Sequence, residues 1–176
     1  GRAGGMIKAA GAFLICLGAA GLGWQMAFLW KERLELLIAL RRLIYYLKGE
    51  ILYGHGTLAE ALLQSGRKAG GPFGEMFERA AERLEFRDGT PFSQIWRSEA
   101  DKLARLPLLS DDWERLKALG DSLGYLDLTM QERTLLLYLE QLDESIGYLK
   151  EHKREKCRLY MSLGIMGGLF LTITFL

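Results

Sequence analysis

The sequence predicts an all-α protein: a six-helix bundle held between an N-terminal and a C-terminal transmembrane helix. Three observations carry that prediction. Long apolar runs occupy both ends of the chain, and between them apolar residues recur at steps of three and four. No segment shows the period-two alternation of a half-buried strand.

Residues 1–5, GRAGG, hold nothing apolar enough to fold and read as an extension ahead of Met6, either an expression scar or a native start. Residues 6–30 form the first transmembrane segment. From Ala9 to Trp30 only Gln25 interrupts the apolar run. At 1.5 Å per residue this stretch makes roughly 33 Å of helix, enough for a hydrocarbon core of roughly 30 Å. The run exceeds a signal-peptide core and has no convincing small-residue cleavage site, so it reads as uncleaved. Gly11, Gly18 and Gly21 offer close-packing positions, or simply reflect how common glycine is in membrane helices.

The second run, residues 159–176, is at the lower limit of spanning length, and a buried C-terminal core helix is the alternative. Its flank favours the membrane. Lys150, Lys153, Arg154, Lys156 and Arg158 precede it, as Lys31, Arg33, Arg41 and Arg42 follow the first run. Both cationic sides face the middle of the chain, which places residues 31–158 in the cytosol of a multi-pass membrane protein. Only Lys8 and Arg2 oppose that orientation.

The middle segment is long enough to bury one core. It holds all 22 acidic residues and all but two of the 23 basic ones, a net charge of −1. That balance lacks the basic stripe of a nucleic-acid binder. Cys16 and Cys157 lie in or beside the membrane segments with no redox or metal-site spacing.

Within residues 31–52, Leu36, Leu40, Leu43, Leu47 and Ile51 mark one helix face, and Leu37 and Ile44 widen it. Tyr53-Gly54-His55 forms a structural turn. Thr57 with Glu60 then makes a capping box for a helix carrying Leu58, Ala61 and Leu62, with SGRKAGG as its break. Pro72 suits the first turn of the next helix, where its missing N–H costs nothing. That helix carries Phe73, Met76, Phe77, Ala80 and Leu84 and runs to about Phe86.

Thr90-Pro91 opens a helix with Phe92, Ile95 and Trp96 that fades near Leu106-Pro107. Ser110 is positioned to cap DDWERLKAL, with Asp111 and Asp112 at the positive end of its dipole, and Gly120 and Gly124 bound a loop. Thr129 with Glu132 makes a second capping box. It leads into the stripe Leu135, Leu139, Leu142, Ile146 and Leu149, with no proline before the terminal apolar run.

The chain has no phosphate-binding loop, no H-E-x-x-H and no paired-cysteine motif, and no catalytic residue, metal or cofactor is expected. His55 has no nucleophile or orienting partner in its neighbourhood, since Thr57 is already explained as a cap. His152 lies among charges near the membrane. Glu75, Glu78, Glu82 and Glu85 form an acidic strip that is either a docking face for a basic partner or a wet helix surface. Asp111, Asp112 and Glu114 form a second candidate cluster. Arg41-Arg42 faces either lipid headgroups or a protein carboxylate.

The residues also carry a resemblance. The segment Gly23-Trp24-Gln25-Met26-Ala27 ends the first apolar run. Glu50-Ile51-Leu52-Tyr53-Gly54-His55 then leads into Leu58-Ala59-Glu60-Ala61, and Leu119-Gly120 with Leu123-Gly124 precedes the long last helix. Together they resemble the stage III sporulation protein AB family of endospore-forming bacteria across residues 6–176. Where that family often has a proline after the histidine turn, this chain reads Gly56-Thr57-Leu58.

The resemblance implies a domain like the cytosolic domain of inner-membrane platform proteins in type II secretion and type IV pilus machines. It further implies a non-enzymatic adaptor in the mother-cell membrane, part of the channel between mother cell and forespore. Its implied partners are a secretion-type ATPase, other membrane subunits of the same sporulation operon and the phospholipid membrane. The alternative is a membrane-anchored helical sensor or regulator outside such a machine.

Overall fold

A computed structural model describes residues 2–86, 89–124 and 127–175. Its elements are six helices: α1 (Arg2–Tyr53), α2 (Leu58–Ala69), α3 (Gly71–Glu85), α4 (Phe92–Asp101), α5 (Ser110–Leu123) and α6 (Leu128–Phe175). The chain divides into two compact units, Gly1–Glu32 with Leu149–Leu176, and Arg33–Tyr148.

The first unit is apolar and open to its surroundings. Ile7, Phe13, Ile15, Trp24 and Phe28 on α1, and Leu163, Met166, Phe170 and Ile173 on α6, are all exposed. A helix that is apolar on every side and covered by no protein suits lipid. Hydroxyls there bond back into their own helix, Ser162 Oγ to the Leu159 carbonyl at 3.0 Å and Thr174 Oγ1 to the Phe170 carbonyl at 2.7 Å. Of the two transmembrane helices expected, one is supported: among the described residues α1 alone is long and apolar enough to cross a membrane. Many side chains of the second expected segment, 159–176, lie outside the described residues. So do the side chains of Lys153, Arg154, Lys156, Cys157 and Arg158.

The second unit holds the all-α core. Leu37, Leu40, Leu43, Ile44 and Leu47 of α1 are buried together with Leu62 of α2 and Phe73, Met76, Phe77 and Ala80 of α3. Ile95 and Trp96 of α4, Leu116 and Leu119 of α5, and Leu135, Leu139, Leu142 and Ile146 of α6 are buried as well. Each large apolar side chain fully removed from water contributes about 1.5–3 kcal/mol. Leu36 and Ile51, at the edges of the α1 stripe, are half-buried.

Trp96 anchors this core. Phe77 and Phe92 flank it with ring centroids 5.0 and 5.6 Å away, and its indole N–H donates to the Leu116 carbonyl at 2.7 Å. Gly120 explains how the ring fits. A Cβ on that residue would lie 2.1 Å from Trp96 Cδ1, so the bare helix backbone is the ring's seat. Gly120 therefore belongs to the interior of α5 and does not bound a loop, while Gly124 does end the helix.

Four further boundaries depart from the sequence expectation. The stretch Ser65 to Ala69 continues α2, with Ser65 Oγ bonded to the Ala61 carbonyl at 2.6 Å, and the chain turns only at Gly70-Gly71. Both of those glycines have positive φ, 63° and 70°, which L side chains rarely adopt. Gly66 is helical, and its missing side chain lets α3 cross there: a Cβ on it would lie 2.6 Å from the Gly74 carbonyl oxygen. Ser110 is the first residue of α5, and Leu109 is the cap residue, its N–H donating to Asp112 Oδ2 at 3.0 Å.

Thr129 is likewise inside its helix. Asp127 precedes α6 and accepts from the Thr129 N–H at 3.1 Å, so its carboxylate replaces the expected Thr129–Glu132 box. The acceptor one residue ahead of the helix outcompetes a hydroxyl already within it. After Asp101, α4 gives way to tight turns closed by Leu103 and Leu106 N–H groups, short of the fading point expected near Leu106-Pro107.

Candidate functional site

The corner between α1 and α2 is built for shape. The Gly54 N–H closes α1 on the Glu50 carbonyl at 2.9 Å. His55 follows with φ 51°, a left-handed conformation in which histidine is enriched among non-glycine residues. The Thr57 hydroxyl then accepts from the Glu60 N–H at 3.2 Å while Glu60 Oε2 accepts from the Thr57 N–H at 3.0 Å. Tyr53, Gly54 and His55 are all exposed. The cleft beside them is lined by Glu50, Gly54, Gly56, Glu60, Ala61 and Gln64. Glu50 is held by Lys68 and Glu60 by the cap, so neither carboxylate is arranged as an acid or base aimed at His55.

The candidate acidic residues separate into three situations. Glu82 and Glu85 are exposed on α3, and Glu78 is half-buried beside Gly66 of α2. Glu75 is exposed and pairs with Arg79 Nη1 at 3.6 Å. Asp111 and Glu114 are exposed on α5. Asp112 is not part of any docking face, because it is buried. Its carboxylate accepts from Arg33 Nε at 2.8 Å and Arg33 Nη2 at 3.0 Å, which ties α5 to α1. A two-pronged arginine–carboxylate pair of this kind fixes orientation as well as charge.

Nearby, Arg115 Nη1 donates to Ser145 Oγ at 3.3 Å, and both line a small cavity with Asp112, Tyr138, Gln141 and Leu142. Burial first, and then the charge of Asp112, push the Tyr138 phenol far above its usual pKa, so it stays neutral. Arg41 meets a protein carboxylate, that of Asp143 on α6, which raises the guanidinium pKa further.

Sequence reading missed the most concentrated charge cluster. Glu99 of α4 is fully buried and accepts from three cations. Arg79 Nε reaches Oε2 at 3.0 Å, Arg83 Nη1 reaches Oε1 at 2.9 Å, and Lys102 Nζ reaches the two oxygens at 2.7 and 2.9 Å. Arg83 Nη1 also donates to Ser98 Oγ at 2.9 Å. Burial alone would raise the Glu99 pKa, but the bonds from Lys102, Arg83 and Arg79 outweigh it and hold the carboxyl below its usual range. The cations themselves are 36 %, 40 % and 54 % exposed for Arg79, Arg83 and Lys102.

The only sequence signal for this cluster is the spacing, Arg79 and Arg83 one turn apart and Glu99 three residues before Lys102. Among the described residues no buried side-chain nitrogen or oxygen lacks a hydrogen-bond partner, and no group of three metal-ligating side chains converges. Charged side chains lie on the outer faces of the domain.

The family model for stage III sporulation protein AB matches residues 8–176. The stage III sporulation protein AB of Bacillus subtilis (strain 168) is 27% identical over 169 residues, covering 96% of this chain and 98% of that protein. A solved structure of a stage III sporulation protein AB superposes with a TM-score of 0.63 at 26% identity, covering 70% of this chain and 98% of the solved one.

Proposed function

The chain belongs to the stage III sporulation protein AB family, and from that premise we propose how it serves as a non-enzymatic membrane subunit of the sporulation machinery. It is the platform that anchors or couples a cytosolic secretion-type ATPase to the channel between mother cell and forespore. The observation that carries this reading is the domain of residues 33–148: among its described residues no buried side-chain nitrogen or oxygen lacks a hydrogen-bond partner, and its buried carboxylates, Asp112 and Glu99, are held in ion pairs. Such a body docks and transmits position. Among its described residues no group of three metal-ligating side chains converges.

Two membrane helices with the domain on the cytosolic side fit the cationic residues that flank both apolar runs. The candidate contact for the ATPase is the acidic side of α3, Glu78, Glu82 and Glu85, with Asp111 and Glu114 of α5 as a second patch. Acidic rims of this kind steer a basic partner and fix its register more than they add affinity.

The test titrates the full chain in phosphatidylcholine nanodiscs against the ATPase encoded in the same operon, reading binding and nucleotide hydrolysis together. Saturable binding that Glu78→Lys with Glu82→Lys weakens about tenfold supports both the coupling and its face. Binding insensitive to those changes keeps the coupling and discards the acidic face. No binding by a folded, membrane-held chain removes the ATPase from its partners.

A further inference from the structure

We propose that the outer face of α1 and α6 in the 33–148 domain binds a second copy of this chain, with α1 of each copy lying against α6 of the other. Ile38, Arg42 and Tyr45 carry this face on α1, and Leu137, Glu140 and Glu144 carry it on α6. The inference does not rest on the ATPase reading, since it needs no partner but the chain itself.

Exposed apolar side chains mark the face. Among the described residues of 33–148, the stretch from α2 to α5 exposes Phe86 and Leu109. The shorter portions of α1 and α6 expose Ile38, Tyr45, Leu136, Leu137 and Tyr148, with Tyr45 at 60 % and Leu137 at 55 %. Ile38, Arg42 and Tyr45 follow one another at steps of four and three, and Leu137, Glu140 and Glu144 at steps of three and four. Each set therefore lies along one side of its helix. The two sides adjoin, because Arg41 beside the first bonds Asp143 beside the second, Nη2 to Oδ2 at 3.2 Å.

Charge selects the occupant. Between residues 35 and 48, α1 carries Arg41, Arg42 and Lys48 against Glu35. Between residues 132 and 144, α6 carries Glu132, Glu140, Asp143 and Glu144 against Arg133. One half of the face is net positive and the other net negative, so it complements itself when a two-fold axis sets each half against the other. Arg41 and Asp143 neutralise each other within the chain, and Lys48 lies 5.8 Å from the Tyr45 ring. No hydrogen bond or ion pair among the described residues engages Arg42, Glu140 or Glu144. Glu140 and Glu144, one turn apart, repel each other along α6. A two-fold axis running along the seam keeps every residue at its own height, and the Arg41–Asp143 bond places Arg42 within about a turn of both glutamates. Arg42 of each copy then meets Glu140 and Glu144 of the other.

Two glycines point the same way independently. Gly49 and Gly147 lie inside α1 and α6, the first four residues beyond Tyr45 and the second three beyond Glu144, so both continue the exposed sides. Glycine in a helix interior weakens the helix. At Gly66, Gly74 and Gly120 a neighbour packed on the bare backbone accounts for it, whereas a Cβ on Gly49 or Gly147 would meet nothing in the chain. Bare backbone on an outward side admits a second helix at close range. An anionic lipid surface suits the α1 half of this face and is repelled by the α6 half, so the other copy fits it better than a bilayer.

The experiment reconstitutes the full chain in phosphatidylcholine vesicles, with one population carrying a donor dye at its N-terminal amine and the other an acceptor. Energy transfer that rises with the protein-to-lipid ratio and is competed by unlabelled chain is the expected result. Arg42→Glu should weaken association about tenfold or more, and so should Glu140→Arg with Glu144→Arg, because each sets like charges together twice in a two-fold contact. All three changes in one chain should restore it to within about threefold, since the reversed charges again meet their opposites. Gly147→Leu should weaken association as well without lowering the melting temperature, because its side chain meets nothing within a single copy. Circular dichroism and a melt establish that each variant is folded. Energy transfer no greater than random proximity gives, or transfer that no variant changes, overturns the proposal. So does a triple variant that fails to recover, which would assign the face to another protein or to lipid.

Discussion

Helix α3 is held on its two sides by opposite means. Toward α2 it comes so close that backbone meets backbone, with Gly66 and Gly74 leaving no space for a Cβ, and Glu78, Glu82 and Glu85 lie on its outer side. Toward α4 it is joined by an ionic cage, in which Arg79 and Arg83 reach across to a carboxylate with no exposure. One seam is stabilised by the absence of side chains and the other by their convergence. The difference separates structure from display. Glu82 and Glu85 are exposed and make no part of the first seam, whereas the cations of the second are both a structural pin and an exposed surface.

Removing the pin is the most disruptive test of that contrast. Replacing Arg79, Arg83 and Lys102 together by Ala strands Glu99 as a buried unpaired charge, and about 3–5 kcal/mol of unfolding free energy should be lost in chemical denaturation of the micelle-held chain. Adding Glu99→Met to that variant should recover most of it, because an apolar side chain has no charge to strand. Failure to recover would mean that the cations' aliphatic stems, not their charges, join the seam.

The glycine side should respond next. Gly74→Ala or Gly66→Ala drives a methyl against a carbonyl oxygen, so α2 and α3 must separate at a cost of about 1–3 kcal/mol, read as a lower melting temperature. A neutral result would show that the crossing is loose.

Acid titration distinguishes the seams more finely. The folded-state pKa of Glu99 is lowered, so its stabilisation is complete above the unfolded glutamate value of about 4.3 and is lost as pH falls through the lower folded value. Glu99→Gln should remove that part of the acid limb in pH-dependent melts, and the glycine variants should leave it unchanged. An identical acid limb in Glu99→Gln would contradict the cage.

Smallest of all should be the outer acids. Glu82→Lys with Glu85→Lys should change stability by less than about 0.5 kcal/mol while altering any partner affinity that depends on that face. A large loss of stability would make those residues structural and withdraw them as a docking strip.

The parts of this molecule legible in the sequence are those governed by local periodicity. The stripes Leu37–Leu47 and Leu135–Ile146 are visible because helical spacing alone puts their members on one face, and burial follows. The Thr57–Glu60 geometry is local too, closed within four residues. What escaped depends on residues far apart in the chain. Gly66 reads as a breaker until α3 crosses it, and Gly120 reads as a loop residue until Trp96, 24 positions earlier, lies across it. Asp112 reads as a surface acid until Arg33 is brought to it from 79 residues away. Glu99 gives no sign that it is buried, because two of its three cations come from α3, 16 and 20 residues earlier in the chain.

The seat of Trp96 on Gly120 also constrains inheritance. Any side chain at position 120 collides with the indole, and any smaller residue at 96 leaves a void beside bare helix and releases the Leu116 carbonyl from its second donor. Neither position can change first without loss, since a large-to-small replacement at a buried tryptophan costs about 3–5 kcal/mol and a methyl pressed into the ring about 1–3 kcal/mol. The two codons therefore behave as one unit of descent. A lineage that alters this part of the core must change both together or pass through a damaged intermediate, so the least chemically distinctive residue of α5 is as hard to replace as the largest one of α4.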